Sequence, residues 1–510
     1  MGESARKIGS AGQQAAHYGA PEAADGLPRY QQIFRALQKQ ILNGELRAGA
    51  RLPSTRALAE QLGVARNTVV VAYDRLLAEG YLETRTGSGT YVAEQFLSLT
   101  EHGFSRSGEK DGGENFQPRL SAYIRRALSI SLHPPPIPGK SHPQRKIDFR
   151  YGHPDIDHFP REIWRRLTSR HLRYDARASF VYGEPEGLPE LREAISAYIY
   201  RNRAVSCDPS QVIIVNGSQQ GIDLTLRTLI DPGDRVAIEE PHYPGTRLPI
   251  EALGARVFGV PVDDDGLQVE SLPSFADAPR LVCVTPSHQY PTGVVMSLAR
   301  RLGLISWADK NDAFILEDDY DGEFNYQARP MEALQALDHR DRVIYLGTFS
   351  KVLAPALRIG YVVVPRSLAL PTATAKWLAD RHSPTLEQAV LADFIREGHF
   401  ERHLRRSRVR NARKRKILIQ ALKKAFGTTA EIQGISAGVH LLLKLKDLTW
   451  GNVQELLSLA AAENISLYTT EGCYLRRPDQ PHLVMGYAGL SEEAIRTGVR
   501  SLRRIYGRIA

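Results

Sequence analysis

A lysine beside a serine, with an arginine seven positions further on, occupies the stretch Gly347-Thr348-Phe349-Ser350-Lys351 and the following Val352 to Gly360, which contains Arg358. An amine held away from water loses its proton readily and condenses with an aldehyde, while a hydroxyl and a guanidinium can grip a phosphate monoester. An aldehyde and a phosphate on one small molecule describe pyridoxal phosphate (PLP). Lys351 is therefore the candidate catalytic residue, through a Schiff base, with Ser350 and Arg358 at the phosphate.

Other polar motifs follow apolar runs in the same way. Asn216-Gly217-Ser218-Gln219-Gln220 is a small-residue turn opening a helix, whose free N–H groups suit a phosphate. Glu240-Pro241-His242-Tyr243-Pro244 puts an aromatic, Tyr243, where it can stack on a ring. Pro286-Ser287-His288-Gln289-Tyr290-Pro291-Thr292-Gly293 forms another turn, and Glu317-Asp318-Asp319-Tyr320 supplies a carboxylate and a phenol.

The elements that must position these groups are strands. Val212-Ile213-Ile214-Val215, Val236-Ala237-Ile238, Leu281-Val282-Cys283-Val284, Phe314-Ile315-Leu316, Val343-Ile344-Tyr345-Leu346 and Tyr361-Val362-Val363-Val364 are continuously apolar and alternate with helical stretches. Continuous hydrophobicity predicts strands covered on both faces of a mostly parallel sheet. Ligands of such sheets sit at the C-terminal strand ends, where the polar motifs fall.

A different pattern occupies residues 27–93. Ile33, Phe34, Leu37, Ile41 and Leu42 recur at helical spacing, ended by Asn43-Gly44. Ser54 is placed to cap a short helix facing inward through Leu58 and Leu62. After the turn at Gly63-Val64, a second helix buries Val69, Ala72, Tyr73 and Leu76 and leaves Arg66, Asn67 and Thr68 exposed at its start. Tyr81 to Arg85 and Thr90 to Val92, joined by Thr86-Gly87-Ser88-Gly89, predict a hairpin wing. This is a helix-turn-helix with a wing. Nine Lys/Arg against five Asp/Glu give the segment only a modest positive excess, so the motif rather than the charge argues for nucleic acid.

Between the two, residues 94–147 lose periodicity and predict a linker, Gly-rich from His102 to Gly113 and Pro-rich from Leu132 to Pro143, with a short docking helix over Leu120 to Ser131. Residues 1–26 are small and polar and are expected to be disordered. With 510 residues the chain exceeds one ordinary domain. Its 42% hydrophobic content includes no run able to span a bilayer, and a membrane partner is not expected. Cys207, Cys283 and Cys473 have neither metal-ligand nor disulfide spacing, which fits a reducing cytoplasm without a bound metal. His403 to Lys416 carries eight Arg/Lys on one helix. A solvated face is the first reading and an auxiliary DNA track, carried by Arg410 and Arg413, the second.

Residues 28–92, through Leu52-Pro53-Ser54-Thr55-Arg56, Arg66-Asn67-Thr68-Val69 and Gly87-Ser88-Gly89-Thr90, resemble the winged helix-turn-helix of GntR-type regulators. Residues 148–510 resemble a fold-type-I PLP aminotransferase with a smaller α+β C-terminal subdomain. The combination resembles the MocR/GabR-type regulators of that family, some of which answer to vitamin B6. The resemblance implies DNA contacts at Ser54, Arg56, Arg66, Asn67, Thr68, Arg85, Gly87 and Gly89. It also implies an internal aldimine on Lys351, a pyridine-nitrogen carboxylate at Asp318 with Asp319 as rival, a ring-oxygen partner at Tyr320, and stacking by Tyr243. Phosphate would be held by Ser218, Gln219, Ser350 and Arg358, with Tyr182 arriving from the partner of a head-to-tail homodimer.

Two departures from aminotransferases bear on activity. Tyr290 precedes Pro291-Thr292-Gly293 where those enzymes carry an asparagine, and Val484 stands where they place an arginine for the substrate carboxylate. The expectation is a regulator that binds double-stranded operator DNA and senses PLP, an amine or an amino acid. A working aminotransferase with a fused DNA-binding domain is the alternative.

Overall fold

The structure is a computed structural model that describes residues 27–94, 119–130, 147–174, 181–326 and 332–509. The N-terminal residues 1–26 and the Gly-rich and Pro-rich linker stretches lie outside them. The chain divides into two compact units, residues 1–118 and 119–510.

In the first unit, α1 (Arg29–Leu42), α2 (Thr55–Leu62) and α3 (Arg66–Ala78) pack around Ile33, Phe34, Leu37, Ile41, Leu58, Val69, Ala72, Tyr73 and Leu76. Leu42, expected inside, is 43% exposed, because it lies a residue beyond the buried i, i+4, i+8 stripe of α1. Ser54 Oγ accepts from Ala57 N (3.2 Å) and starts α2, while Gly63 ends it at φ +63°. The Tyr73 hydroxyl donates to Pro53 O (3.0 Å), tying α3 to the turn before α2. The wing pairs β1 (Leu82–Arg85) antiparallel to β2 (Gly89–Val92) in the register Leu82↔Val92, so both of these apolar ends turn inward.

The second unit begins with α4 (Ala122–Ile130), the docking helix expected in the linker. It packs on the helix Pro244–Leu253, with Arg126 Nε donating to Ala252 O (3.0 Å). The central sheet contains β4 (Val212–Val215), β5 (Arg235–Glu240), β6 (Arg256–Asp263), β7 (Gly266–Leu267), β8 (Leu281–Val284), β9 (Phe314–Asp319), β10 (Val343–Thr348) and β11 (Gly360–Val363), in the order β4-β11-β10-β9-β8-β5-β6-β7. Its neighbours pair in parallel except at β11 and the short β7. Val212 and Ile214 enter one core and Ile213 and Val215 another. Period-2 alternation between two covered faces makes the run look uniformly apolar. Strand β6 is not marked by such a run, since its residues are mostly half-buried or exposed.

A smaller antiparallel sheet contains β12 (Ala430–Gln433), β13 (His440–Leu445), β16 (Leu483–Gly486) and β15 (Tyr468–Thr469), in that order. It packs against the long helix His399–Phe426 and the last helix, Glu492–Ile509. A separate two-stranded pairing joins β3 (Ile147–Asp148) to β14 (Ile465–Ser466), so the chain re-enters beside this C-terminal subdomain. No helix among the described residues is long and apolar enough to cross a membrane.

Candidate cofactor pocket and nucleic-acid face

The C-terminal ends of the strands open on one pocket, lined by Lys351, Asp318, Tyr320, Tyr243, Ser218, Tyr151, Thr285 and Tyr290. Lys351 follows β10, and its Nζ donates to Gly152 O (3.4 Å) while lying 5.7 Å from the centroid of the Tyr151 ring. Gly152, at φ +75°, permits this approach, since a Cβ there would collide with Nζ. Burial lowers the Lys351 pKa, Asp318 and Asp321 oppose that, and Arg358 adds to it. The result is an amine that gives up its proton more easily than a surface lysine.

Asp318 and Asp319 are adjacent on β9 and therefore point to opposite faces. Asp319 is committed to the structure, accepting from Arg203 Nε (2.7 Å) and the Tyr345 hydroxyl (2.6 Å). Asp318 faces the pocket, and its Oδ1 is buried without a hydrogen-bond partner. Burial, with Asp319 adding to it and Lys351 opposing, pushes the Asp318 carboxyl up to about 7. A buried carboxyl lacking a donor is costly on its own and is well placed to meet a protonated ring nitrogen.

The small-residue turn expected to meet a phosphate lies at the start of the helix Ser218–Leu229, where Gly217 takes φ +85°. Arg358 adopts the left-handed region at φ +51°, uncommon for a residue with a side chain. Its Nη2 donates to Asn216 O (2.5 Å), and its guanidinium lies against Gly217, where a Cβ would be 3.0 Å away. On the other side, Asp380 Oδ2 accepts from Asn216 Nδ2 and Gln220 Nε2 (both 2.7 Å), and the buried Lys376 Nζ donates to Asp380 Oδ1 (2.6 Å). The turn is thus gripped from both sides. Ser218 lines the pocket, whereas the Gln219 side chain is turned to Gly245 O (2.8 Å), which leaves only its backbone for the phosphate. Ser350 is half-buried next to Lys351, with its N–H donating to Thr348 Oγ1 (3.2 Å).

Three tyrosines form the remaining wall. Tyr151 and Tyr290 lie 4.6 Å apart between centroids, and Tyr243 meets Tyr290 edge-on at 5.7 Å. Burial raises all three phenol pKa values, so the rings stay neutral. Gly245 keeps the space beside the Tyr243 ring, since a Cβ there would run into it. The Tyr320 hydroxyl donates to His288 O (3.0 Å) and lies 3.0 Å from His288 Nδ1, which also lies 3.0 Å from Asp321 Oδ2. Tyr320 is therefore oriented by an Asp321–His288 pair beside the pocket. Sequence reasoning assigned no role to Tyr151, Thr285, His288, Asp321, Lys376 or Asp380. Tyr151 and Lys376 lie outside every strand-end motif, and Asp321 and His288 lie inside or beside motifs with more conspicuous neighbours.

Tyr182 is 82% exposed and stands away from its own chain's pocket lining, with its ring 5.8 Å from that of His382 and 5.8 Å from the Arg381 guanidinium. Val484 on β16 is buried with Tyr290, Tyr320, Leu442 and Cys473.

In the first unit Arg56, Arg66 and Asn67 are exposed and Thr68 is half-buried at the start of α3. Ala65 at the N-cap offers no side-chain cap, so early N–H groups of α3 are available to an anion. Ser54 accepts from Ala57 N and keeps its own proton for donation. Gly87 (φ +75°) and Gly89 (φ +125°) shape the wing tip. Arg85 is held by Glu83 (2.7 Å) and Glu94 (2.6 Å) and must leave them to reach a phosphate.

The basic helix is largely spoken for. Arg410 and Lys414 pair with Asp155 (3.2 and 3.1 Å), Arg413 with Glu492 (2.6 Å), Arg408 Nε donates to Glu323 O (2.6 Å), and Arg415 lies over the Tyr326 ring. Arg405, Arg406 and Lys416 remain exposed to solvent.

A winged helix-turn-helix followed by a large, mostly parallel-sheet unit, with a lysine, an aspartate and a small-residue helix-opening turn meeting at its strand ends, defines a DNA-binding head fused to an aminotransferase-like body. Residues 29–92 match the bacterial regulatory proteins of the gntR family, and residues 144–502 match aminotransferase class I and II. The chain belongs to the MocR-type regulators of the gntR family. It is 38% identical to the probable rhizopine catabolism regulatory protein MocR of Rhizobium meliloti, over 94% of both chains. It is also 32% identical to the pyridoxine biosynthesis transcriptional regulator PdxR of Corynebacterium glutamicum, over 81% of this chain and 82% of that one. Among solved structures, LysN, an α-aminoadipate aminotransferase from Thermus thermophilus complexed with N-(5'-phosphopyridoxyl)-L-leucine, aligns with a TM-score of 0.66 and 27% identity over 77% of this chain and 95% of its own. A multiple substrate aminotransferase from Thermococcus profundus also gives 0.66, at 25% identity over 78% and 97%.

Proposed function

We propose that this chain is a transcription regulator in which residues 27–93 bind operator DNA, residues 94–147 connect, and residues 148–510 hold PLP and report its ligand state. The regulator reading follows from the gntR-type head and the named regulators that match nearly the whole chain. The observation that carries the PLP reading is Asp318 Oδ1, buried without a partner in the pocket that also holds a desolvated lysine amine. PLP, when bound, supplies an aldehyde that combines with primary amines and an electron-withdrawing ring. Lys351 offers the amine, Asp318 the ring-nitrogen carboxylate, Tyr243 a stacking face, and Tyr320 a hydroxyl that can turn from His288 O to the ring oxygen. Ser218, the Gln219 backbone, Ser350 and Arg358 supply the phosphate cradle. Tyr182, projecting from its own chain, suits a partner subunit's pocket in a homodimer.

DNA contacts are assigned to Ser54, Arg56, Arg66, Asn67, Thr68, Gly87 and Gly89, with Arg85 reaching the backbone only after release from its two glutamates. Ligand state can alter DNA binding only through different affinity for two arrangements of the chain. Operator affinity should therefore differ between cofactor-free protein, protein with PLP, and protein with PLP plus an amine. Equal affinity in all three would refute the sensor, and robust multiple turnover with amino donors and 2-oxo acids would establish an enzyme instead.

A further inference from the structure

Among the described residues that line the pocket, Lys351 is the one cationic side chain. The neighbouring guanidiniums are engaged elsewhere. Arg150 Nε donates to the Tyr468 hydroxyl (3.0 Å) and lies 3.6 Å from Asp148, and Arg358 is fixed to Asn216 O at the phosphate turn. His440, whose ring lies 5.4 Å from that of Tyr290, is kept neutral by burial and by His288. The nearby carboxylates that act on Lys351 are those of Asp318 and Asp321. Behind Tyr290 and Tyr320 the wall is closed by Val484, Leu442 and Cys473.

A carboxylate entering such a pocket leaves water and finds, among the described lining residues, an acid and no guanidinium to fork onto it, an unfavourable exchange. An apolar or hydroxylated body bearing an ammonium meets aromatic faces, phenol oxygens and acidic neighbours, which suits it. We propose that the second ligand of this pocket, beside the cofactor, is a primary amine that carries no carboxylate. The proposal rests on the PLP reading and narrows it by excluding α-amino acids as effectors. Tyr290, which lines the pocket, and Val484, buried against it, are the residues that set this preference, because neither brings a cation to that side.

The test uses the full chain loaded with PLP and titrated in a calorimeter with three matched pairs: putrescine against ornithine, tyramine against tyrosine, and 2-aminoethanol against serine. At least one amine should bind, and each amine that binds should do so about tenfold or more tighter than its carboxylated partner, as expected when a charged group is left unpaired. The same amine should shift operator affinity. In Val484→Arg the ratio should fall or invert in favour of the amino acid; if that variant does not fold, Tyr290→Asn, which opens the same wall to a polar group, should lower the ratio. Amino acids binding as tightly as their amines, no binding by any of the three amines, or a ratio unchanged in a folded wall variant would each overturn the proposal. A chain that takes up no PLP refutes the underlying cofactor reading instead, so the two failures are separable.

Discussion

Neutralising two adjacent aspartates should change stability in opposite directions. Asp318 is buried without a partner for its Oδ1, and its carboxyl is pushed from 3.8 to about 7. At 1.36 kcal/mol per unit that rise corresponds to about 4 kcal/mol. The pKa is raised in the folded state, so the stabilising contribution of the proton is fully present below the unfolded value and is lost as pH rises through about 7. Asp318→Asn should therefore stabilise the cofactor-free chain at pH 8 by an amount of that order, and the gain should vanish towards pH 4. Asp319 has the opposite situation, since its charge is met by Arg203 at 2.7 Å, with both side chains almost completely buried. Asp319→Asn removes one partner of a buried pair and should cost about 3–5 kcal/mol. Calorimetric unfolding of the full chain without cofactor, at pH 8 and pH 5, reads both effects on the transition that PLP addition raises in the unsubstituted protein. Asp318→Asn should also weaken PLP retention, because the ring nitrogen loses its counter-charge. Shifts of the same sign for both variants, or a destabilised Asp318→Asn chain at pH 8, would refute the assignment of Asp318 to the pocket and Asp319 to the scaffold.

Lys351→Ala should abolish covalent retention of PLP through gel filtration, and the ligand dependence of operator binding with it; a retained response would leave phosphate-pocket occupancy as the signal. Ser54→Ala removes the cap of α2 and should destabilise the first unit by about 1 kcal/mol, seen in the thermal transition that operator DNA raises. Arg66→Ala should weaken operator binding and reduce the slope of log affinity against log salt by about 1 if it meets a phosphate, whereas an unchanged slope places Arg66 away from the backbone. Arg405→Glu with Arg406→Glu is the clean test of an auxiliary DNA track, because Arg410→Glu would also break the Asp155 pair; unaltered salt dependence in the double variant would make the helix face merely solvated.

The strands were legible because burial on both faces leaves an uninterrupted apolar run, as in Val212–Val215 and Val343–Leu346. Strand β6 was not, since a sheet margin with exposed positions has no such run. The winged head was legible for a different reason: Ser54, Gly63 and Gly87 are local signals whose effect does not depend on distant residues. The basic helix shows the opposite case. Its partners Asp155, Glu323, Tyr326 and Glu492 come from separate places in the chain, and no spacing within His403 to Lys416 announces them.

Order along the chain already places chemistry-bearing residues after strands, sets Lys351 at one such end, and leaves the position of Val484 without a cation. These are properties of order along the chain, fixed by local periodicity and residue type. Tertiary packing shows that Asp318, preferred over its rival Asp319, faces the pocket, that the Gln219 side chain turns to Gly245, and that Tyr151, His288 and Asp321 lie in or beside it. Those choices depend on which face of a strand or helix a side chain occupies and on what a distant segment brings against it. Arg203 reaches Asp319 across 116 positions of sequence, and its charge, absent from any local pattern, is what leaves Asp318 to the pocket.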